Sequence, residues 1–220
     1  MIITKQKPIE EILESIKGET NIFLVGCSVC ADECQTGGEC ATKELIEKLK
    51  AEGKNVTGFG VIDSPCHVLV TKKDLKPHRE LIEQSDSILV TACGAGAQSV
   101  AQVLEKPIRP AVNTLFLGNV ERHGHFYEHC SMCGECVIAF TDGICPITNC
   151  AKGLLNGPCG GMNKGKCEIS TEERPVDCAW VLIYERLKKL NHLDKYKNIQ
   201  PAKNYSKHIK PDRLILERKK

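Results

Sequence analysis

Asn21-Ile22-Phe23-Leu24-Val25-Gly26 is a short apolar run, and Cys27 follows it at once. A run of this length, closed by glycine, predicts a buried strand. The pattern recurs. Asn55 to Ile62, Ser87 to Thr91 and Ala111 to Leu117 read as further strands. Between them lie stretches with apolar residues at helical spacing. Pro8 to Lys17 carries Ile9, Ile12, Leu13 and Ile16 and stops at Gly18. Thr42 to Lys50 carries Leu45, Ile46 and Leu49 and stops at Gly53. Leu75 to Gln84 and Ala97 to Leu104 complete the alternation. Strands alternating with helices predict an α/β fold, a doubly wound parallel sheet of about four strands.

That fold gives the cysteines a place. Ligands of such sheets bind beyond the carboxyl ends of the strands. Cys27 follows the first strand, Cys66 the second and Cys93 the third, and Cys30 and Cys34 sit in the first of these loops. Right-handed crossovers put all these loops on one edge. Five thiols distant in sequence are therefore expected at one crest. A four-iron cluster needs four of them. Zinc, or a dithiol at Cys27 and Cys30 that cycles with a disulfide, are the alternatives.

Past Gly118 the texture changes. The chain from Glu121 to Arg174 is rich in Gly, Cys and Asn and poor in apolar periodicity. Such a segment buries too little carbon to organise itself without metal. A helix is predicted over Val176 to Leu190, with Trp180, Ile183 and Leu187 on one side. The expected organisation is an α/β domain over 1–120, a Cys-rich, ferredoxin-like lobe with its helix over 121–190, and a basic extended arm over 191–220.

The chain has 220 residues and 14 cysteines. Eight of the cysteines fall late: Cys130, Cys133, Cys136, Cys145, Cys150, Cys159, Cys167 and Cys178. Cys130-x2-Cys133-x2-Cys136 is the opening of a ferredoxin site, and Cys145-Pro146 is the Cys-Pro pair after a longer gap. In two-cluster ferredoxins that cysteine ligates the other cluster, so the eight are not paired into sets by sequence. Eight thiolates suit two [4Fe–4S] clusters, with structural zinc at one site as the alternative. With one cluster at the crest the expected total is three. His123, His125 and His129 precede Cys130 and are more often solvated than ligating at such positions. Cys93-Gly94-Ala95-Gly96-Ala97-Gln98-Ser99 resembles a phosphate-binding loop only in part, and glycines there would let amides approach a cluster. Cys40 reads as a packed small hydrophobe at a helix start.

Bulk properties narrow the classes. Net charge is +2 and only 5% of residues are aromatic, which argues against a nucleic-acid surface. The N-terminal residues lack a signal-peptide core, and no apolar run approaches the ~20 residues of a membrane span. A cytoplasmic protein is expected, and there abundant cysteine means ligands or redox chemistry before disulfides.

The late motifs are specific. Gly143-Ile144-Cys145-Pro146-Ile147-Thr148-Asn149-Cys150 runs on to Asn156-Gly157-Pro158-Cys159-Gly160-Gly161, then Gly165-Lys166-Cys167-Glu168 and Asp177-Cys178-Ala179-Trp180. This resembles the methylenetetrahydrofolate reductase C-terminal-domain family, and looks like the small iron–sulfur subunit that accompanies the flavin-containing reductase subunit in acetogens and related anaerobes. Gly26-Cys27-x2-Cys30-x3-Cys34, Gly37-Gly38-Glu39 and Ala92-Cys93-Gly94 are similar to its N-terminal half. The resemblance implies a non-catalytic electron-transfer subunit. Its partner would be the flavin reductase that converts 5,10-methylenetetrahydrofolate to 5-methyltetrahydrofolate. Its donor would be a ferredoxin or an electron-bifurcating complex. A zinc-stabilised docking subunit without redox role is the rival expectation. Cys40 and the basic tail lie outside the resemblance.

Overall fold

The computed structural model describes residues 1–207 and 210–216 and divides into two compact units, Met1–Tyr127 and Glu128–Lys220. In chain order the first unit holds β1 (Ile2–Gln6), α1 (Ile9–Ser15), β2 (Asn21–Cys27), α2 (Cys30–Glu33), α3 (Glu39–Ala51), β3 (Asn55–Ile62), α4 (Val68–Leu75), α5 (Arg79–Glu83), β4 (Ser87–Thr91), α6 (Gly94–Val103), β5 (Ile108–Pro110) and β6 (Val112–Arg122). Strand β7 (His125–Cys130) closes it and runs into the second unit.

The predicted parallel sheet is present, in the order β3-β2-β4-β5. Strands β2 and β4 are its centre. Every residue of β4 is buried, and β2 is buried after Asn21. Alternation divides them between two faces. Phe23, Val25, Ile88 and Val90 pack with Leu75, Ile82 and Val100 from α4, α5 and α6. Ile22, Leu24 and Leu89 pack with Ile12, Leu45, Ile46 and Leu49 from α1 and α3. Helices thus cover both faces, as in a doubly wound fold.

The fourth strand differs from expectation. Val112–Arg122 is a strand, but it pairs antiparallel with β1 in a second sheet of order β1-β6-β7. The fourth parallel strand is β5, three residues next to Pro107 and ending at Pro110. Proline removes an amide donor, so a strand framed this way suits a sheet edge. The helix expected over Leu75 to Gln84 is also divided. Helix α4 ends at Leu75, a 3-10 turn over Lys76–His78 carries Pro77, and α5 follows. Pro77 lacks the amide that a continuous helix would need.

The second unit has little regular structure. It contains α7 (Pro146–Asn149) and α8 (Ala179–Lys189). Its core is small: Cys178, Trp180, Ile183 and Leu187, with Ile144, Cys150, Met162, Leu193 and Tyr196 against it. The segment read as an extended arm begins with structure of its own, a 3-10 helix over Leu193–Lys197. The Tyr196 ring meets Trp180 edge-on at 5.8 Å and Tyr184 at 5.6 Å. Residues 208, 209 and 217–220 of the arm lie outside the described residues.

Candidate metal centres

The crest forms where sheet order reverses. Chain connectivity leaves β2 for β3 on one side and then returns to β4 on the other. The crevice between β2 and β4 is therefore the topological switch point. Cys27 is the last residue of β2, and Cys93 caps the N-terminus of α6 after β4. Cys30 opens α2. Gly37 lets the loop close over this point: a Cβ there would stand 2.6 Å from the Cys27 carbonyl and 2.8 Å from that of Thr91. The Gly38 amide donates to the Cys27 carbonyl at 2.9 Å.

Cys66 feels three of the other crest thiols. Burial pushes the Cys66 thiol up, and the thiols of Cys93, Cys27 and Cys30 raise it further by like charge. Cys66 itself is exposed. Cys34 is buried, its sulfur 3.9 Å from the Ile2 carbonyl. The glycines after Cys93 serve packing. The Gly94 amide is taken by Thr114 Oγ1 at 2.8 Å, and a Cβ on Gly96 would meet that of Ala92 at 2.9 Å.

The second unit holds a tighter arrangement. Cys150, Cys159, Cys167 and Cys178 line one small cavity, roofed by Met162, Ala179 and Trp180. They come from four places: the end of α7, two loops, and the cap of α8. Lys152 and Glu168 complete the lining and form an ion pair at 2.6 Å. Glu168 holds the Lys152 ammonium above its usual value, against some desolvation, and the Cys159 thiol adds to it. The other late thiols lie elsewhere. Cys130 ends β7 and accepts the Met132 amide at 3.3 Å. The Cys133 thiol faces the Glu135 carbonyl at 3.7 Å. Cys136 is exposed, and Cys145 caps α7.

All fourteen cysteines are free thiols. Among the described residues, no three His, Cys, Asp or Glu side chains form a group that could hold a single metal ion. The four thiols of Cys150, Cys159, Cys167 and Cys178 share one small cavity, and four thiolates are the number and kind of donor that a four-iron cluster or a zinc ion takes. His123 pairs with Gln35 at 2.5 Å, and all three histidines before Cys130 are exposed. Cys40 is not packed as expected. It is exposed on α3, its sulfur 3.6 Å from Glu44 Oε1.

Sequence reasoning missed Lys152, Glu168 and Tyr196. Only the closeness of Lys152 to Cys150, and of Glu168 to Cys167, could have pointed to the first two. No helix of the described residues is long and apolar enough to cross a membrane.

Residues 109–206 match the family described as Methylene-tetrahydrofolate reductase C terminal. No curated protein and no solved structure matches the chain.

Proposed function

We propose, from the match of residues 109–206 to the methylene-tetrahydrofolate reductase C-terminal family, that this chain is the electron-transfer subunit of such a reductase. The observation that carries the reading lies inside the matched segment: four thiols separated in sequence line one cavity. Cys150, Cys159, Cys167 and Cys178 would hold one [4Fe–4S] cluster. Cys130, Cys133, Cys136 and Cys145 would hold a second, and Cys27, Cys30, Cys66 and Cys93 a third at the crest. Such clusters supply one-electron transfer.

The chain's own residues set the conditions. Trp180 and Met162 line the four-thiol cavity and give it apolar walls. The Met132 amide points at Cys130 and stabilises negative charge on that sulfur. Lys152 puts a positive charge beside Cys159, offset in part by Glu168. The partner would be the flavin-containing catalytic subunit, which reduces 5,10-methylenetetrahydrofolate to 5-methyltetrahydrofolate with two electrons. A ferredoxin or an electron-bifurcating complex would be the donor.

Rapid mixing tests the role. Reduced ferredoxin should reduce the flavin of the catalytic subunit quickly when this chain is bound and slowly without it. Equal rates with and without the chain would favour the docking role instead.

A further inference from the structure

One stretch of the C-terminal segment is bonded to both thiol-bearing parts of the second unit. Asn156 faces Gln200 as one peptide faces another in a sheet. Its Nδ2 donates to the Gln200 carbonyl at 2.9 Å, and its Oδ1 accepts from the Gln200 amide at 2.8 Å. A primary amide presents the same donor and acceptor as a backbone group, so one side chain does the work of a strand residue. Beside it, the Tyr196 hydroxyl donates to the Gly157 carbonyl at 2.9 Å. Cys159 follows two residues later. At the other end, Lys203 donates to the carbonyl of Glu135, which lies between Cys133 and Cys136. Lys195 donates to the Ala139 carbonyl at 3.0 Å. Beneath the stretch lie Val137, Phe140 and Leu155, which line its grooves.

Apart from the single 3-10 turn Ile138–Phe140, which holds Ala139, neither loop belongs to a helix or strand at these points. Their separation is therefore not fixed by regular structure, and the segment crossing between them supplies the missing constraint. We propose that residues 193–203 form a strap, latched by Asn156, that sets the spacing between the Cys130–Cys145 thiols and the Cys150–Cys178 thiols. Asn156 is its positioning residue. The spectroscopic part of the test rests on the reading that both thiol sets carry clusters; the latch itself does not.

The test uses the full chain, purified anaerobically, as wild type, Asn156→Ala and Asn156→Asp. Two quantities are read: the rate of tryptic cleavage at Lys195, Lys197 and Lys203, and the magnetic coupling between reduced clusters. Asn156→Ala removes two hydrogen bonds and should speed cleavage about tenfold. Iron content should hold while the coupling weakens. Asn156→Asp keeps the acceptor and loses the donor, so it should fall between. If Asn156→Ala fails to fold, Tyr196→Phe removes one hydrogen bond of the strap and should move both readouts in the same direction. Cleavage at the wild-type rate would overturn the latch. Faster cleavage with unchanged coupling would overturn the claim that the strap sets the spacing. Wild-type protein without iron would remove the cluster reading, and the cleavage rates would still decide the latch.

Discussion

Cys34 and Cys159 show how much a single thiol's surroundings decide. Both lie in Cys-rich loops. Cys159 faces a cavity with three other thiols, whereas Cys34 is buried with its sulfur toward the Ile2 carbonyl. A thiolate is a ligand only where it can reach the shared ion or cluster. Cys159→Ser should therefore cost about four irons per chain, the content of one cluster. Cys34→Ser should leave iron content unchanged. Iron lost equally from both variants would contradict the assignment of Cys27, Cys30, Cys66 and Cys93 as the crest set. Composition and fold class brought Cys34 to the crest, but which way its sulfur points depends on β1, a partner that local sequence does not reveal.

At the scale of elements, apolar runs identified β2, β3 and β4 because buried parallel strands are nearly continuous in hydrophobic residues. Strand β6 was also legible as a strand. Its sheet was not, because period-two alternation says nothing about which neighbour pairs with it. Strand β1 is short and mixed, and β5 is three residues between prolines, so neither carries a clear pattern. The second unit was legible as cysteine-organised chain, yet its internal ties were not. Asp142 is such a tie. It accepts from Lys195 and from His192 Nδ1, the latter at 2.7 Å, and so joins its loop to the segment after α8. These two hydrogen bonds, Lys195 first, hold its carboxyl below the usual carboxylate range. A depressed folded value means that the charged form is favoured by folding. The contribution is complete above the unfolded value and is lost as pH falls through the folded one. The stability advantage of wild type over Asp142→Asn, measured by denaturant melts, should shrink below about pH 4. An advantage that persists unchanged into stronger acid would contradict this.

For the whole molecule, the two units solve the same problem in different ways. The first builds a conventional two-faced core and presents thiols at the switch point of its sheet. The second has only a small core around Trp180, Ile183 and Leu187, and spends its loops on bringing thiols together. The match to the family described as Methylene-tetrahydrofolate reductase C terminal covers residues 109–206, most of the second unit and the strands leading into it. The central claim is that three thiol sets carry iron–sulfur clusters in one chain. Iron and zinc analysis of anaerobically purified protein, with Mössbauer and spin-resonance counting, tests it most directly. The account predicts brown protein with about twelve irons per chain, four for each set. Colourless protein that holds zinc alone would contradict it.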